Sequence, residues 1–253
     1  MGGILAQSAA AFCGGQKISI VCSTSERTEK RAKELGVRAE TLENVCDSDY
    51  VFLAVKPQKL NELAPKIVSA LNGKKRVLVS MLAGVSLDNL SGRFRTEKII
   101  RIMPNTPASV GEGMTLVCKG NDVNDEELSF FLRMTESSGK CDLLQESLFD
   151  AASALSGCGP AYMFVMLEAL ADGAVKCGLP RDKALQYAAQ TMLGSAKLLL
   201  ESGEHPGKLK DAVCSPGGST IAGVAALEKG GLRASAVDAV ECAFLRTREL
   251  GKR

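Results

Sequence analysis

Short apolar runs separated by amphipathic stretches fill the first part of the chain. Residues 17–22 (KISIVC), 49–55 (DYVFLAV), 76–81 (RVLVSM), 98–103 (KIIRIM), 115–119 and 141–144 are brief, apolar and bounded by polar or turn residues, so they predict strands. The run 49–55 is nearly continuous in apolar residues, as expected of a parallel strand covered on both faces. Between these runs, 4–12, 27–35 and 124–137 carry helical spacing, the second ending at Gly36. Strands alternating with helices over residues 1–145 predict an α/β fold built on a doubly wound sheet. From Glu146 the regime changes. Residues 147–155, 160–177, 181–201, 209–213, 220–229 and 234–250 all read as helices, with Gly178 closing one and Pro180 opening the next. The apolar share of this helical region, 146–253, predicts helices buried against a partner subunit.

Composition narrows the function classes. The chain has 253 residues, 45% of them hydrophobic, enough for a large core in one or two domains. A net charge of +2 offers no electrostatic case for nucleic acid. No apolar run is read as reaching membrane-spanning length, and no signal peptide is visible, so no membrane partner is expected. The nine cysteines are odd in number and form no CxxC pair, which predicts reduced thiols in a cytosol-like compartment. His205 is the lone histidine, so no zinc pattern is present and no metal is expected.

Two places carry candidate chemistry. The first is the opening of the α/β region. A dinucleotide-binding unit begins with a strand and then G-x-G-x-x-G. Here Met1-Gly2-Gly3 runs straight into a helical pattern, with neither the strand nor the first two glycines. After the 17–22 strand come Ser23, Thr24 and Arg27, where an NAD site would place an acid for the ribose hydroxyls. Hydroxyls and a guanidinium suit a 2′-phosphate, which favours NADP(H) and leaves NAD(H) possible, with Glu26 tempering the preference; a plain helix start is the alternative. Lys56 and Pro57 end the 49–55 strand, on the side where open α/β sheets bind ligands; an exposed helix-start lysine is the ordinary alternative. The second place is 209–228 (LKDAVCSPGGSTIAGVAALE). Pro216 and the Gly217–Gly218 pair make a tight turn into a helix, with Ser219 or Thr220 as expected N-cap and Ser215 beside it. A helix N-terminus surrounded by small hydroxyls suits a carboxylate; an ordinary helix connection is the alternative.

VCSPGGSTIAGVAALEKGGLR, followed by AVECAFLRTREL, closely resembles the pyrroline-5-carboxylate reductase family. LSGCGPAYMF (155–164), ADGAVKCGLPR (171–181) and FLAVKPQ (52–58) resemble it too, in the same order along nearly the whole chain. The resemblance implies NAD(P)H-dependent reduction of 1-pyrroline-5-carboxylate to L-proline, with a cyclic imino acid as substrate. It implies a Rossmann-like domain, 1–145, whose first strand is absent, and a helical substrate-binding and dimerisation domain, 146–253, forming a homodimer or an oligomer of dimers. Such reductases start with a short strand and a GxGxMG-like loop, so this chain resembles one beginning at the Met of that loop, with Gly2 as a remnant of the last glycine. Neighbouring strands are then expected to carry an unpaired edge, and the cofactor to lose part of its cradle. The resemblance assigns Ala54, Val55, Lys56 and Pro57, the turn at Ala83 and Gly84, and the loop at Asn105 and Thr106 to the cofactor side. It assigns Thr220 to polarising the imine nitrogen, with Lys56 orienting the site or offsetting charge. Ser215, Gly218 and Ser219 hold the substrate carboxylate, and Glu146 contacts the ligand. For Asn105 and Thr106 a structural proline turn, and for Glu146 a solvated helix-start acid, remain the alternatives.

The small-residue turn 156–160 (SGCGP) is read as packing, and Cys158 and Cys214 as small core residues. Two other functions stand beside the reductase reading. One is an impaired short form serving as a structural subunit, supported by the shortened first loop. The other is a different two-domain NADP-dependent reductase, such as a β-hydroxyacid dehydrogenase or ketopantoate reductase. Those use a lysine on a second-domain helix, for which no matching motif is found.

Overall fold

The computed structural model describes residues 1–251. The chain divides into two compact units: Met1–Cys158 joined by the C-terminal stretch from Ala243, and Gly159–Cys242.

The first unit runs α1 (Gly2–Cys13), β1 (Ser19–Ile20), α2 (Ser25–Leu35), β2 (Arg38–Ala39), α3 (Leu42–Cys46), β3 (Tyr50–Leu53), α4 (Leu60–Leu71), β4 (Val77–Ser80), α5 (Leu87–Phe94), β5 (Ile99–Met103), β6 (Gly113–Lys119), α6 (Asp125–Thr135), β7 (Gly139–Leu143) and α7 (Glu146–Ser156). Local chemistry explains most boundaries. Thr24, Thr41, Ser86 and Asn124 each cap a helix by accepting a backbone N–H, and Asn124 with Glu127 completes a capping box. Gly36 ends α2 in the left-handed conformation at φ 66°.

Five strands form one sheet in the order β3-β4-β5-β6-β7, with β5 and β6 antiparallel and the other pairs parallel. Strand residues alternate between two cores, which is what winding helices on both faces requires. On one face Val51, Leu53, Leu78 and Ile99 pack with Leu60, Ala64 and Ile67 of α4 and Leu90 of α5. On the other, Val77, Val79, Ile100, Ile102 and Val117 pack with Leu5 and Ala9 of α1 and Leu128 and Phe131 of α6. α7 covers the far end of the first face, where Phe149 meets Leu116 and Cys118.

β1 and β2 pair with each other in a separate two-stranded sheet. The expected strand 17–22 is thus cut to two residues, and β3 is an edge strand with no strand on its outer side among the described residues.

The second unit carries α8 (Gly159–Lys176), α9 (Arg181–Ser202), α10 (Pro206–Ala212), α11 (Ser219–Lys229) and the start of α12 (Leu232–Gly251). α10 starts earlier than expected because His205 caps it, its Nδ1 accepting from the Gly207 N–H at 3.0 Å. Only Ala171 and Ala184 are buried among the described residues of this unit, while Phe164, Val165, Leu185, Leu193, Leu200 and Val237 are exposed. The expectation of no membrane-length apolar run needs correction: Glu146–Lys176 is long and apolar enough by length and composition. It is two helices, α7 and α8, meeting at Gly157-Cys158.

Candidate active site

The residues proposed from the sequence fall into two groups, one in each compact unit. In the first unit, Gly2 begins α1, and a Cβ there would sit 2.6 Å from the Cβ of Ala54. Glycine is therefore required for α1 to approach the chain just after β3, the role the last glycine of a dinucleotide loop plays. α1 has no acidic residue in its first turn, which leaves its positive end open to an anion. Ser23, Thr24 and Arg27 are exposed. The Thr24 hydroxyl is engaged as a cap, accepting from the Arg27 N–H at 3.3 Å. The Arg27 guanidinium makes no ion pair among the described residues and can receive a phosphate, so the residues present fit NADP(H) at its adenosine end.

Ala54, Val55 and Lys56 follow β3 and are exposed; Pro57 opens a short 3-10 turn at Pro57–Lys59 with Lys56 as its N-cap. Ala83 and Gly84 lie in the turn between β4 and α5. Gly84 has φ 72° and packs against the end of α12, where a Cβ would come within 3.2 Å of Thr247 O. Asn105 follows β5 and bridges two elements: its amide donates to Ser156 O at 3.1 Å, and its oxygen accepts from the Met114 N–H at 2.9 Å. Its side chain thus ties the end of α7 to β6. Thr106 is exposed at the start of the 3-10 helix Thr106–Val110.

Glu146, the first residue of α7, is held rather than solvated. Its Oε1 accepts from the Leu87 N–H at 2.7 Å and from Arg101 Nη1 at 2.8 Å. Arg101 Nη2 reaches Asp150 at 3.2 Å, and the guanidinium lies 4.2 Å from the centre of the Phe149 ring. Sequence reading missed Arg101 and Asp150. The available signal was one charged residue inside the otherwise apolar run KIIRIM, because a buried charge demands partners. Beside this group, burial first and then the Glu146 carboxylate push the Cys118 thiol up to about 12, so it is an inert core residue.

In the second unit, Ser215-Pro216-Gly217-Gly218 closes a four-residue turn. The Gly218 N–H donates to Ser215 O at 3.0 Å, and Gly217 takes φ 68°. Proline second and a positive-φ glycine third is the pattern of a type II turn. Gly218 itself is the N-cap of α11, which corrects the expected Ser219 or Thr220 cap. A Cβ there would lie 2.4 Å from the Ser215 Oγ, so any side chain at this position would force the Ser215 hydroxyl to move. No side chain caps α11, so its first N–H groups and the exposed hydroxyls of Ser219 and Thr220 stand together at one helix end. That end can bind a carboxylate and offer a hydroxyl donor beside it.

Comparison with known proteins finds relatives that match most of the chain. Residues 146–250 match the family model described as pyrroline-5-carboxylate reductase dimerisation, and residues 1–84 match one described as NADP oxidoreductase coenzyme F420-dependent. A pyrroline-5-carboxylate reductase of Arabidopsis thaliana is 45% identical over 210 residues, 83% of this chain and 76% of the relative. One from Synechocystis is 43% identical over 224 residues, 88% of this chain and 83% of the relative. The structure of a Plasmodium falciparum pyrroline carboxylate reductase with NADP bound superposes with a TM-score of 0.88 at 29% identity, covering 99% of this chain and 94% of that one.

Proposed function

The chain belongs to the pyrroline-5-carboxylate reductase family, an NAD(P)H-dependent oxidoreductase of the C=N bond, and from that premise we propose how its residues reduce 1-pyrroline-5-carboxylate to L-proline. The observation that carries the reading is the uncapped start of α11 after the glycine turn, with Thr220 in its first turn. When bound, the nicotinamide would supply a hydride to the imine carbon, and the nitrogen would carry a proton taken from solvent before or during the transfer. Thr220 donates its hydroxyl hydrogen bond to that nitrogen and draws electron density from the carbon. The Gly218 N–H is engaged by Ser215 O in the turn, so the free N–H groups from Ser219 onward, with the Ser215 hydroxyl beside them, hold the substrate carboxylate. Glu146 has no partner on Oε2 among the described residues, which leaves that oxygen able to face a ligand.

On the cofactor side, the α1 start at Gly2 and the exposed Ser23, Thr24 and Arg27 receive the phosphates of NADP(H). The segment Ala54–Pro57, the turn at Ala83 and Gly84, and the loop at Asn105 and Thr106 line the ribose and nicotinamide end, with Lys56 offsetting charge. NAD(H) lacks the phosphate that Arg27 would pair and is the weaker cofactor in this reading. The apolar residues left exposed on α8, α9 and α12 are read as a subunit interface, giving a homodimer or an oligomer of dimers, not as a membrane surface. The nine free thiols favour a reducing, cytosol-like compartment.

Steady-state assays with 1-pyrroline-5-carboxylate beside a set of 2-keto acids test the substrate class. NADPH oxidation confined to the cyclic imine supports the proposal. Preferential reduction of a 2-keto acid would assign the chain to a different two-domain reductase chemistry.

A further inference from the structure

Arg101 sits in the middle of β5, between Ser80 of β4 and Cys118 of β6, with its side chain 4% exposed. A guanidinium in that position is unfavourable unless paired, and an apolar residue of similar volume commonly serves stability as well or better. The pairing here is also incomplete, since Arg101 Nε has no partner. Stability alone therefore does not account for an arginine. Its contacts do. Glu146 and Asp150 stand one turn apart on α7 and present both carboxylates to the guanidinium fork.

The oxygen of Glu146 that accepts from Arg101 also accepts from the Leu87 N–H, the first residue of α5. At the other end of the same turn, the Leu82 N–H bonds the hydroxyl of Ser80, the residue paired with Arg101 in the sheet. The Leu82 contact is long, 3.4 Å, so the firm anchor is the other end, where Glu146 ties the Leu87 N–H at 2.7 Å to the buried charge. Inside the turn the Val85 N–H to Leu82 O bond is equally long at 3.4 Å, and Gly84 packs against the end of α12.

We infer that Arg101 is a positioning residue for the cofactor side of the site: it clamps Glu146 so that the carboxylate holds the start of α5, and thereby sets the 82–86 turn against which the cofactor binds. This rests on the reading above that Ala83 and Gly84 face the cofactor. The clamp is a property of the planar fork. Lysine keeps the charge but reaches one carboxylate at a time.

The test compares Arg101→Lys and Glu146→Ala with Lys98→Met in the 253-residue chain. Lys98→Met breaks the Lys98–Glu127 ion pair next to the same strand and has no path to the turn. Three readouts are taken: NADPH Kd by fluorescence titration, kcat with KM for each substrate, and amide hydrogen exchange of peptides spanning 82–90. Arg101→Lys is expected to weaken NADPH by about tenfold with a much smaller change in kcat, as misplacement of a binding element does. Exchange over 82–87 should accelerate while α4 stays at the wild-type rate. Glu146→Ala should reproduce both effects, and Lys98→Met should lower Tm without either. A wild-type NADPH Kd or a wild-type exchange rate over 82–87 in Arg101→Lys overturns the inference. So does Glu146→Ala raising the KM of the imino acid alone, which would make Glu146 a ligand contact and not a clamp. Failure of the wild-type protein to bind NADPH would instead overturn the functional reading, and the exchange data would still decide whether Arg101 orders the turn.

Discussion

Thr220 shows how a single side chain is placed by its neighbours. Pro216 and Gly217 bend the chain, Gly218 leaves room for the Ser215 hydroxyl, and α11 starts one residue before Thr220. The hydroxyl is needed when negative charge would otherwise build on the imine nitrogen, so its removal acts on the transition state more than on the ground state. Thr220→Ala should lower kcat by roughly 10²-fold, the lower range for loss of a proton-donating group, and leave the NADPH KM within about twofold. Thr220→Ser should restore most of the turnover. Steady-state kinetics on the three proteins check this, and unchanged kcat in Thr220→Ala would remove Thr220 from the role. At this scale the turn residues were legible in the sequence because Pro and Gly have few backbone alternatives. The cap was misplaced, because serine and threonine caps are the stronger statistical choice and the packing of Ser215 under Gly218 is invisible along the chain. The Arg101 group was missed for the same reason: its partners are 45 and 49 positions away.

At the scale of elements, the junction of α1 with β3 makes the most specific demand. A methyl group at Gly2 would be 2.6 Å from the Ala54 Cβ, well inside van der Waals contact, so helix or strand end must move. Gly2→Ala should therefore weaken NADPH binding by about tenfold and destabilise the unit by about 1–3 kcal/mol, the usual cost of overpacking. Titration of NADPH and thermal denaturation measure the two effects. Unchanged affinity would detach Gly2 from the cofactor. Strands β3, β4 and β5 and helices α1 and α6 were readable from the pattern along the chain, since each packs residues into one of the two cores. The strand at 17–22 shrank to Ser19–Ile20 because hydrogen-bond partners, not apolar content, set its length, and β2 is its one partner in the described residues. α3, α5 and β2 went unread: they are short, and their identity depends on the caps Thr41 and Ser86 and on pairing with β1.

The whole molecule is governed by an imbalance between its two units. The first has two packed cores around its sheet, while the second buries two alanines and exposes leucine, phenylalanine and valine along its helices. Leu200 is 71% exposed and Phe164 65%. Apolar surface of that kind marks an interaction site, and the proposed subunit interface would cover it. Leu200→Glu combined with Phe164→Glu should shift the sedimentation profile from dimer toward monomer, while a monomeric wild-type protein would contradict the interface reading. The switch from α/β to helical pattern was plain in the sequence, but the identity of what covers the helices is a matter of assembly and lies beyond one chain's periodicity.

The most direct measurement follows the hydride itself. Purified protein is incubated with 1-pyrroline-5-carboxylate and NADPH carrying deuterium at the transferable position, and the product is analysed by mass spectrometry and NMR. The account predicts L-proline with one deuterium at the carbon that had been doubly bonded to nitrogen. Absence of labelled proline from protein shown to be folded and dimeric would contradict it and leave the chain a structural member of its family.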